Sequence, residues 1–287
     1  TCYRLYTQQD HEAFTEYTEP EILRMDLSQL VLHSLSLFHP NSGHPLNLLR
    51  EAPDPPSNTR LTQTVNGLLA QGLVTGRGHA LRLTPLGQAV STLPASPRIG
   101  RMLFMGLALR AIEPALTIAA LLSVPKVFSL LQDSARDEER CSDIIVRLEA
   151  FDKYSKLQSK DKRKRYHPQR IVFDQVSRVR RQLAGAMESF VKSQPERWNA
   201  NAHRVGAQAS LICGATPHIA HLVHYKNNFS TRDVVAKALI HPSSVNFDNS
   251  KRTHWYVYNE LRTTKAPYLH LTTATSPLEL ALFSDWS

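Results

Sequence analysis

Apolar and polar positions follow a helical period through most of this chain and a strand period near its end. Apolar residues spaced three and four apart predict helices over residues 26–38, 59–71, 142–157 and 171–191. Two almost wholly apolar stretches, residues 102–111 and 115–122, predict buried helices that are separated at Pro114. Asp26 has the residue type and place of an N-cap for the first helix.

A short hairpin is predicted directly after the second helix, with strands near residues 73–75 and 80–84 and a helical turn from Pro85. Two helices followed by a hairpin predict a winged helix. Its second helix carries one basic residue, Arg60, whereas a helix that reads a nucleic-acid groove would carry several. A module that packs on a neighbouring domain is therefore favoured over a groove reader.

Aromatic and β-branched residues alternate near the end of the chain and predict strands over residues 255–261 and 268–273. A polar hairpin tip joins these two strands. Residues 205–225 are expected to open the same structure, with a strand over residues 219–225. Short strands with basic connections are typical of a small oligonucleotide-binding (OB) barrel.

Three runs in this last stretch resemble one protein family. They are His-Pro-Ser-Ser-Val-Asn from residue 241, Tyr258 and Glu260 followed by two threonines, and Ser-Pro-Leu-x-Leu-x-Leu-Phe from residue 276. In this order they resemble the C-terminal OB fold of DEAH-box RNA helicases of the RNA helicase A type. Residues 20–24 and 83–94 resemble the winged helix of that family, and residues 113–123 resemble its ratchet-like helical domain.

The resemblance implies a multidomain α+β protein. It divides the chain into the end of a second RecA-like domain (1–19), which opens with a short strand over residues 1–7, a winged helix (20–93), a ratchet-like helical bundle (94–204) and an OB-fold β-barrel (205–287). Residues 142–157 match less well, because Ile144, Glu149 and Phe151 stand where the family usually has His, Asn and Tyr.

The resemblance also implies an ATP-dependent helicase whose motor, with ATP and Mg²⁺, lies upstream of Thr1. The Gly-x-x-x-x-Gly-Lys-Ser/Thr pattern of a phosphate-binding loop does not occur in the sequence. We therefore assign no catalytic residue to this chain and expect no ATP hydrolysis by it alone.

The chain has a net charge of +9, and the excess is confined to one segment. Residues 151–204 hold 14 lysines and arginines against five acidic residues, while the remainder of the chain is balanced. A concentrated basic segment is an electrostatic footprint for a polyanion. For the run at residues 160–165, a solvated linker is an equally good interpretation.

Two polar loops carry the residues predicted to contact RNA. They are Arg262, Thr263, Thr264 and Lys265 at the hairpin tip, and His241, Ser243, Ser244 and Asn246 in the preceding turn. Charged and short polar groups on loops suit phosphates and ribose hydroxyls, so we expect binding that is largely indifferent to base sequence. Alternatively, the serines, threonines and asparagine satisfy the backbone of their own turns.

No metal site is expected. His218, His221 and His224 would share one face of a helix, but the strand predicted here divides them between two faces. The three cysteines are far apart without metal spacing, which favours a reducing, intracellular compartment. The longest apolar run is too short to span a bilayer, so we expect no membrane partner.

Two functions are consistent with these observations. The first is the RNA-handling part of a helicase, which holds single-stranded RNA against upstream RecA-like domains during translocation, unwinding or ribonucleoprotein remodelling. A glycine-rich activator peptide or a ribonucleoprotein assembly is a further expected partner. The second is a non-catalytic RNA-binding or scaffold protein whose motor is decayed or dispensable, and intact nucleotide motifs upstream would distinguish the two.

Overall fold

The computed structural model of the chain describes residues 3–38, 43–124, 141–157, 170–192, 200–224, 228–231, 238–247 and 254–284. The α-helices are α1 Gln8–Ala13, α2 Glu21–Arg24, α3 Ser28–Leu37, α4 Asn47–Arg50, α5 Asn58–Ala70, α6 Pro85–Ser91, α7 Pro97–Ala108, α8 Ile112–Ser123, α9 Asp143–Lys156, α10 Arg170–Val191, α11 Ala200–Ala215 and α12 Pro277–Phe283. The strands are β1 Val74–Thr75, β2 Arg82–Leu83, β3 Ile219–His224, β4 Asn228–Thr231, β5 Leu239–Ile240, β6 Trp255–Val257, β7 Glu260–Thr263, β8 Pro267–His270 and β9 Thr273–Thr275. None of the described helices is long and apolar enough to cross a membrane.

The predicted strand at the start of the chain is wrong for the residues that the structure describes. Residues 3–6 are not in a strand, and all of residues 3–20 are exposed. An extended segment with no neighbouring strand cannot pair its backbone groups, so it gains nothing from β structure. Helix α1 forms instead, because Thr7 and Asp10 make a reciprocal capping box.

Helices α3 and α5 pack with the β1–β2 hairpin and α6 around a leucine-rich core. The predicted helices at residues 26–38 and 59–71 are confirmed, although α3 begins two residues after Asp26. The Asp26 carboxylate accepts from the Ser28 N–H at 3.0 Å, one position before the place of an N-cap. Strands β1 and β2 are antiparallel, with Val74 opposite Leu83, as predicted.

The two apolar helices of the ratchet-like region break at Arg110 rather than at Pro114. Arg110 has a φ of 55°, and the N–H groups of Arg110 and Ala111 bond to the carbonyls of Leu107 and Gly106. This is a Schellman ending, which terminates a helix at a left-handed residue. Pro114 lies in the first turn of α8, where its missing N–H would have no helical partner.

Helix α8 is buried between α7, α9, α10 and α11. The predicted helices at residues 142–157 and 171–191 are confirmed as α9 and α10, whose apolar faces meet through Phe151, Tyr154 and Phe173. Ile144 and Phe151, two of the departures from the family pattern, are both buried in this core. Apolar packing therefore occupies positions where the family usually has polar side chains.

Residues 205–215, at the start of the segment predicted to form the OB fold, are helical and belong to α11. Its small residues let it lie close against α7: a Cβ on Gly214 would be 2.6 Å from the Met102 Cβ. The Arg98 guanidinium donates to the carbonyls of Gly214 and Ala215, which are among the last of the helix. Packing against α7 and capping by Arg98 thus stabilise α11 as a helix.

Among the described residues, the nine strands form three sheets. One is β1–β2, the second has the strand order β4-β3-β6-β9, and the third has the strand order β5-β8-β7. The strand predicted over residues 255–261 is two strands, β6 and β7, in different sheets. Tyr256 and Tyr258 are both buried with Ile240 and Leu269 in a core that the two larger sheets share. A chain that contributes to both sheets must turn between them, and it does so at Tyr258 and Asn259.

Candidate nucleic-acid interface

The predicted hairpin tip is an exposed turn between β7 and β8. The strands are antiparallel, with Arg262 opposite Tyr268 and Thr263 opposite Pro267. The Thr264 N–H donates to the Ala266 carbonyl at 3.1 Å and closes the turn. All four predicted tip residues, Arg262 to Lys265, are exposed. The tip therefore presents polar groups to solvent.

The two cations of the tip are not equivalent. The Arg262 Nε donates to the Glu260 Oε1 at 2.7 Å, and this hydrogen bond raises the pKa of Arg262. Among the described residues, the ion pairs do not include Lys265. Sequence reasoning missed Glu260 as a neutralising partner, although strand alternation places it on the Arg262 side of β7. Lys265 therefore offers the less compensated charge.

His241 and Ser243 form the partly exposed part of the turn that follows β5. The Ser243 N–H donates to the His241 Nδ1 at 3.2 Å, and the Ser243 Oγ lies 2.7 Å from the same atom. An Nδ1 that accepts from a backbone N–H leaves the proton of the neutral ring on Nε2. Burial lowers the pKa of His241, and the charge of Arg262 lowers it further.

Ser244 and Asn246, also predicted to face RNA, lie inside the protein. The Ser244 Oγ is 2.8 Å from the Thr272 Oγ1. The Asn246 amide donates to the carbonyls of Cys141 and Thr272 and to the Thr272 Oγ1, at 2.9–3.2 Å. Both side chains are buried, and they join the turn to the segments around Cys141 and Thr272. Their side chains therefore bond mainly to Cys141 and Thr272, which lie outside the turn.

The same network is centred on Asp143, which sequence reasoning did not select. This carboxylate is 1% exposed and accepts from the N–H groups of Val245 and Thr272 at 2.9 and 2.8 Å. The Arg147 guanidinium, one turn further along α9, lies 3.8 Å from the Asp143 carboxylate and is also buried. Leu271, just before Thr272, has a φ of 57°, a backbone region that side-chain-bearing residues rarely adopt. An acid at the first position of α9, directly before the apolar run Ile144–Val146, is the sequence signal for this site.

The basic segment is only partly within the described residues, and the run at residues 160–165 lies outside them. In α10, Arg180 pairs with Glu113 and donates to the Thr117 Oγ1 at 3.0 Å. Lys192 is 2.7 Å from Glu188. Arg178 and Arg181 are exposed. Part of the excess charge on this helix therefore stabilises the bundle.

Arg60, the one basic residue of α5, is used for packing. Its guanidinium donates to the carbonyls of Ile22, Leu23 and Met25, the last at 2.7 Å. These carbonyls lie in and just after α2, where helical partners are missing. This use of Arg60 supports the packing role that the sequence favours for this module.

Two of the three histidines, His218 and His221, make different aromatic contacts. His218 precedes β3 and stacks on Tyr258, whereas His221 lies in β3 beside Trp255. Burial, followed by the charge of Arg98, lowers the pKa of His218 to about 4. Within the described part of the chain, no group of three potential ligands could hold a metal ion.

Comparison with known proteins identifies the two domains that meet at Asp143. Residues 96–175 match the ratchet-like helicase associated domain (HA2), and residues 207–285 match an oligonucleotide/oligosaccharide-binding (OB) fold. An HA2 domain followed by an OB fold defines a helicase-associated unit.

Three RNA helicases are similar to this chain over almost its whole length. DExH-box ATP-dependent RNA helicase DExH1 of Arabidopsis thaliana is 30% identical, human ATP-dependent RNA helicase DHX29 is 27% identical, and bovine ATP-dependent DNA/RNA helicase DHX36 is 29% identical, each over 98% of this chain. The chain spans 23–30% of the length of these relatives. It belongs to the DEAH-box RNA helicase family, as a C-terminal region.

Proposed function

We propose that this chain is the RNA-holding C-terminal part of an ATP-dependent RNA helicase. In this proposal its OB fold and ratchet-like helices hold single-stranded RNA against upstream RecA-like domains. Those domains would bind ATP and Mg²⁺ and supply the hydrolysis that drives translocation, unwinding or ribonucleoprotein remodelling. The names of the relatives, all ATP-dependent helicases, support this proposal.

The architecture that we propose has four parts. Residues 1–19 complete a RecA-like domain, and residues 20–93 form a winged helix built from α3, α5, β1–β2 and α6. Residues 94–204 form the ratchet-like bundle, and residues 205–287 form the OB fold, whose sheets close into a barrel. The match of residues 207–285 to an OB fold supports this boundary, although α11 crosses it and packs on α7 and α8. The glycine-rich activator peptide stays a prediction.

The observation that carries the proposal is the exposed hairpin tip on the OB fold. Lys265 provides a solvent-facing ammonium, and Thr263 and Thr264 provide hydroxyl donors beside it. Such groups bind phosphates and ribose hydroxyls without reading bases. His241 and Ser243 lie at the partly exposed rim of the neighbouring turn. Ser244 and Asn246 hold that turn from inside, so we propose that they position it.

Salt-dependent binding of single-stranded RNA by the 287-residue chain tests this proposal. Labelled RNA oligomers of several sequences are titrated at a series of salt concentrations. Because each phosphate contact changes the slope of log affinity against log salt by about 0.7, we expect Lys265→Ala to flatten the slope by about that amount for every sequence. Arg50→Ala is the control, since this exposed cation lies on α4, outside the basic segment of residues 151–204. A folded Lys265→Ala protein with an unchanged slope would contradict the proposal.

A further inference from the structure

Three aromatic side chains form a row on the outer face of the β5–β8–β7 sheet. The rings of His241 and His270 stack with centroids 4.2 Å apart, and the edge of Tyr268 meets His241 with centroids 5.6 Å apart. We call His241, Tyr268 and His270 the aromatic row. All three residues are partly exposed.

Strand geometry explains why the row faces outward. Successive side chains of β8 alternate between the two faces of the sheet. Leu269 is fully buried in the OB core, which places its neighbours Tyr268 and His270 on the opposite face. Strand β5 runs parallel to β8, with Ile240 opposite Leu269, so His241 follows on the side of His270.

The charges across this face compensate one another. On β7, Glu260 lies opposite His270 and Arg262 lies opposite Tyr268, and the two form the ion pair at 2.7 Å. Burial lowers the pKa of both histidines, which keeps their rings neutral near neutral pH. A phosphate would bind only weakly at this surface, because the Arg262 guanidinium is already paired with the Glu260 carboxylate. A flat, uncharged group suits it better.

We propose that the aromatic row is a stacking site for a nucleobase of single-stranded RNA. Bases stack on aromatic side chains whatever their sequence, because every base has a π-face. Lys265, in the turn that leads into β8, would hold a neighbouring phosphate of the same RNA strand. This inference rests on the proposed RNA-holding function and deepens it. The hairpin tip binds the RNA backbone, and the aromatic row stacks on a base.

The test pairs protein variants with RNA that lacks single bases. A labelled uridine 12-mer and a series of 12-mers with one abasic position each are titrated against the 287-residue chain. Tyr268→Ala and His270→Ala should each weaken binding of the intact 12-mer by about five- to a hundredfold. Neither variant should change the salt slope, because no phosphate contact is lost.

Two controls separate stacking from damage to the fold. Tyr268→Phe keeps the ring and should bind within about twofold of the wild type. Tyr17→Ala removes an exposed tyrosine near the start of the chain and should have no effect. Thermal unfolding of each variant verifies that the barrel is intact.

The decisive readout is the coupling between side chain and base. For the 12-mer whose abasic position falls on the row, Tyr268→Ala should cost nothing further, because the partner base is already missing. Equal losses on intact and abasic RNA, or a flattened salt slope, would overturn the stacking site while leaving the proposed function intact. A chain that binds no RNA at all overturns both.

Discussion

The Asp143 carboxylate accepts a hydrogen bond at 2.8 Å from the Thr272 N–H, although 129 positions of the chain separate the two residues. Asp143 begins a helix of the ratchet-like domain, and Thr272 lies in the OB fold. The other oxygen of the carboxylate accepts from Val245 in the turn after β5. One buried side chain therefore joins the two domains and sets the position of the turn.

Asp143→Ala should destabilise the protein by about 3–5 kcal/mol. The change leaves the buried Arg147 charge uncompensated and two buried backbone N–H groups without their acceptor. Urea unfolding of variant and wild type measures the loss. Glu188→Ala, which removes an exposed carboxylate that pairs with Lys192, should cost less than about 1 kcal/mol. A similar decrease in the free energy of unfolding for both variants would show that the Asp143 network contributes no more to stability than an exposed ion pair.

Gly87→Ala should cost at least about 2 kcal/mol, because its Cβ would lie 1.8 Å from the Leu73 carbonyl oxygen. Thr84 caps the same turn by accepting from the Gly87 N–H, so the clash cannot be relieved without breaking that cap. The matched control is Gly67→Ala in α5, where the new Cβ meets nothing within 4 Å. That variant should gain about 0.5–1 kcal/mol. Thermal or urea unfolding compares the two, and a stable Gly87→Ala protein would refute the close approach.

Arg110→Gly should stabilise the protein by about 0.5–1 kcal/mol. Arg110 is exposed with a φ of 55°, and glycine adopts this left-handed backbone without the strain of a Cβ. Leu271→Gly provides the contrast, because Leu271 has a similar φ of 57° but packs on the ratchet-like core. It should lose stability, since the packing that it forfeits outweighs the relief of strain. A gain for both variants, measured by urea unfolding, would contradict the burial of Leu271.

Acid should weaken the fold through His218. Its pKa is lowered to about 4 in the native state by burial and by the charge of Arg98. Between pH 6.5 and 4 the unfolded chain therefore binds a proton that the native protein does not, so stability falls as pH falls through this window and the loss levels off below about 4. The contribution is at most about 3 kcal/mol. His218→Gln should flatten the decline when each protein is compared with its own stability at pH 7.5. An unchanged pH profile would show that other groups control acid unfolding.

Glu260→Gln should strengthen RNA binding by a few fold and steepen its salt dependence by up to about 0.7. The substitution frees Arg262 from its ion pair at 2.7 Å while keeping the size of the side chain. In the wild type, by contrast, Arg262→Ala should flatten the salt slope less than Lys265→Ala. RNA titrations over a salt series measure all three variants. If Arg262→Ala flattened the slope as much as Lys265→Ala, the ion pair would not be neutralising the arginine.

Local patterns determined most of the helices and the hairpin tip. Residues 59–71 carry a helical period and are preceded by the capping Ser57, and both signals act within a few positions of the chain. The same holds for β7 and β8, whose alternation and polar turn place Arg262 to Lys265 at an exposed tip. The family runs near residues 241, 258 and 276 identified the OB fold, since each belongs to one local element.

Contacts between distant segments decided what the sequence did not show. Helix α11 formed because α7 offers a close-packed face and Arg98 to cap it, and neither feature lies in residues 205–217 themselves. Ser244 and Asn246 turned inward because Asp143 and Thr272 lie beside them. The sequence by itself determines which groups can bond to their neighbours along the chain. Only the tertiary structure decides which groups are buried together, because burial and hydrogen bonding across a hundred positions depend on how the elements pack.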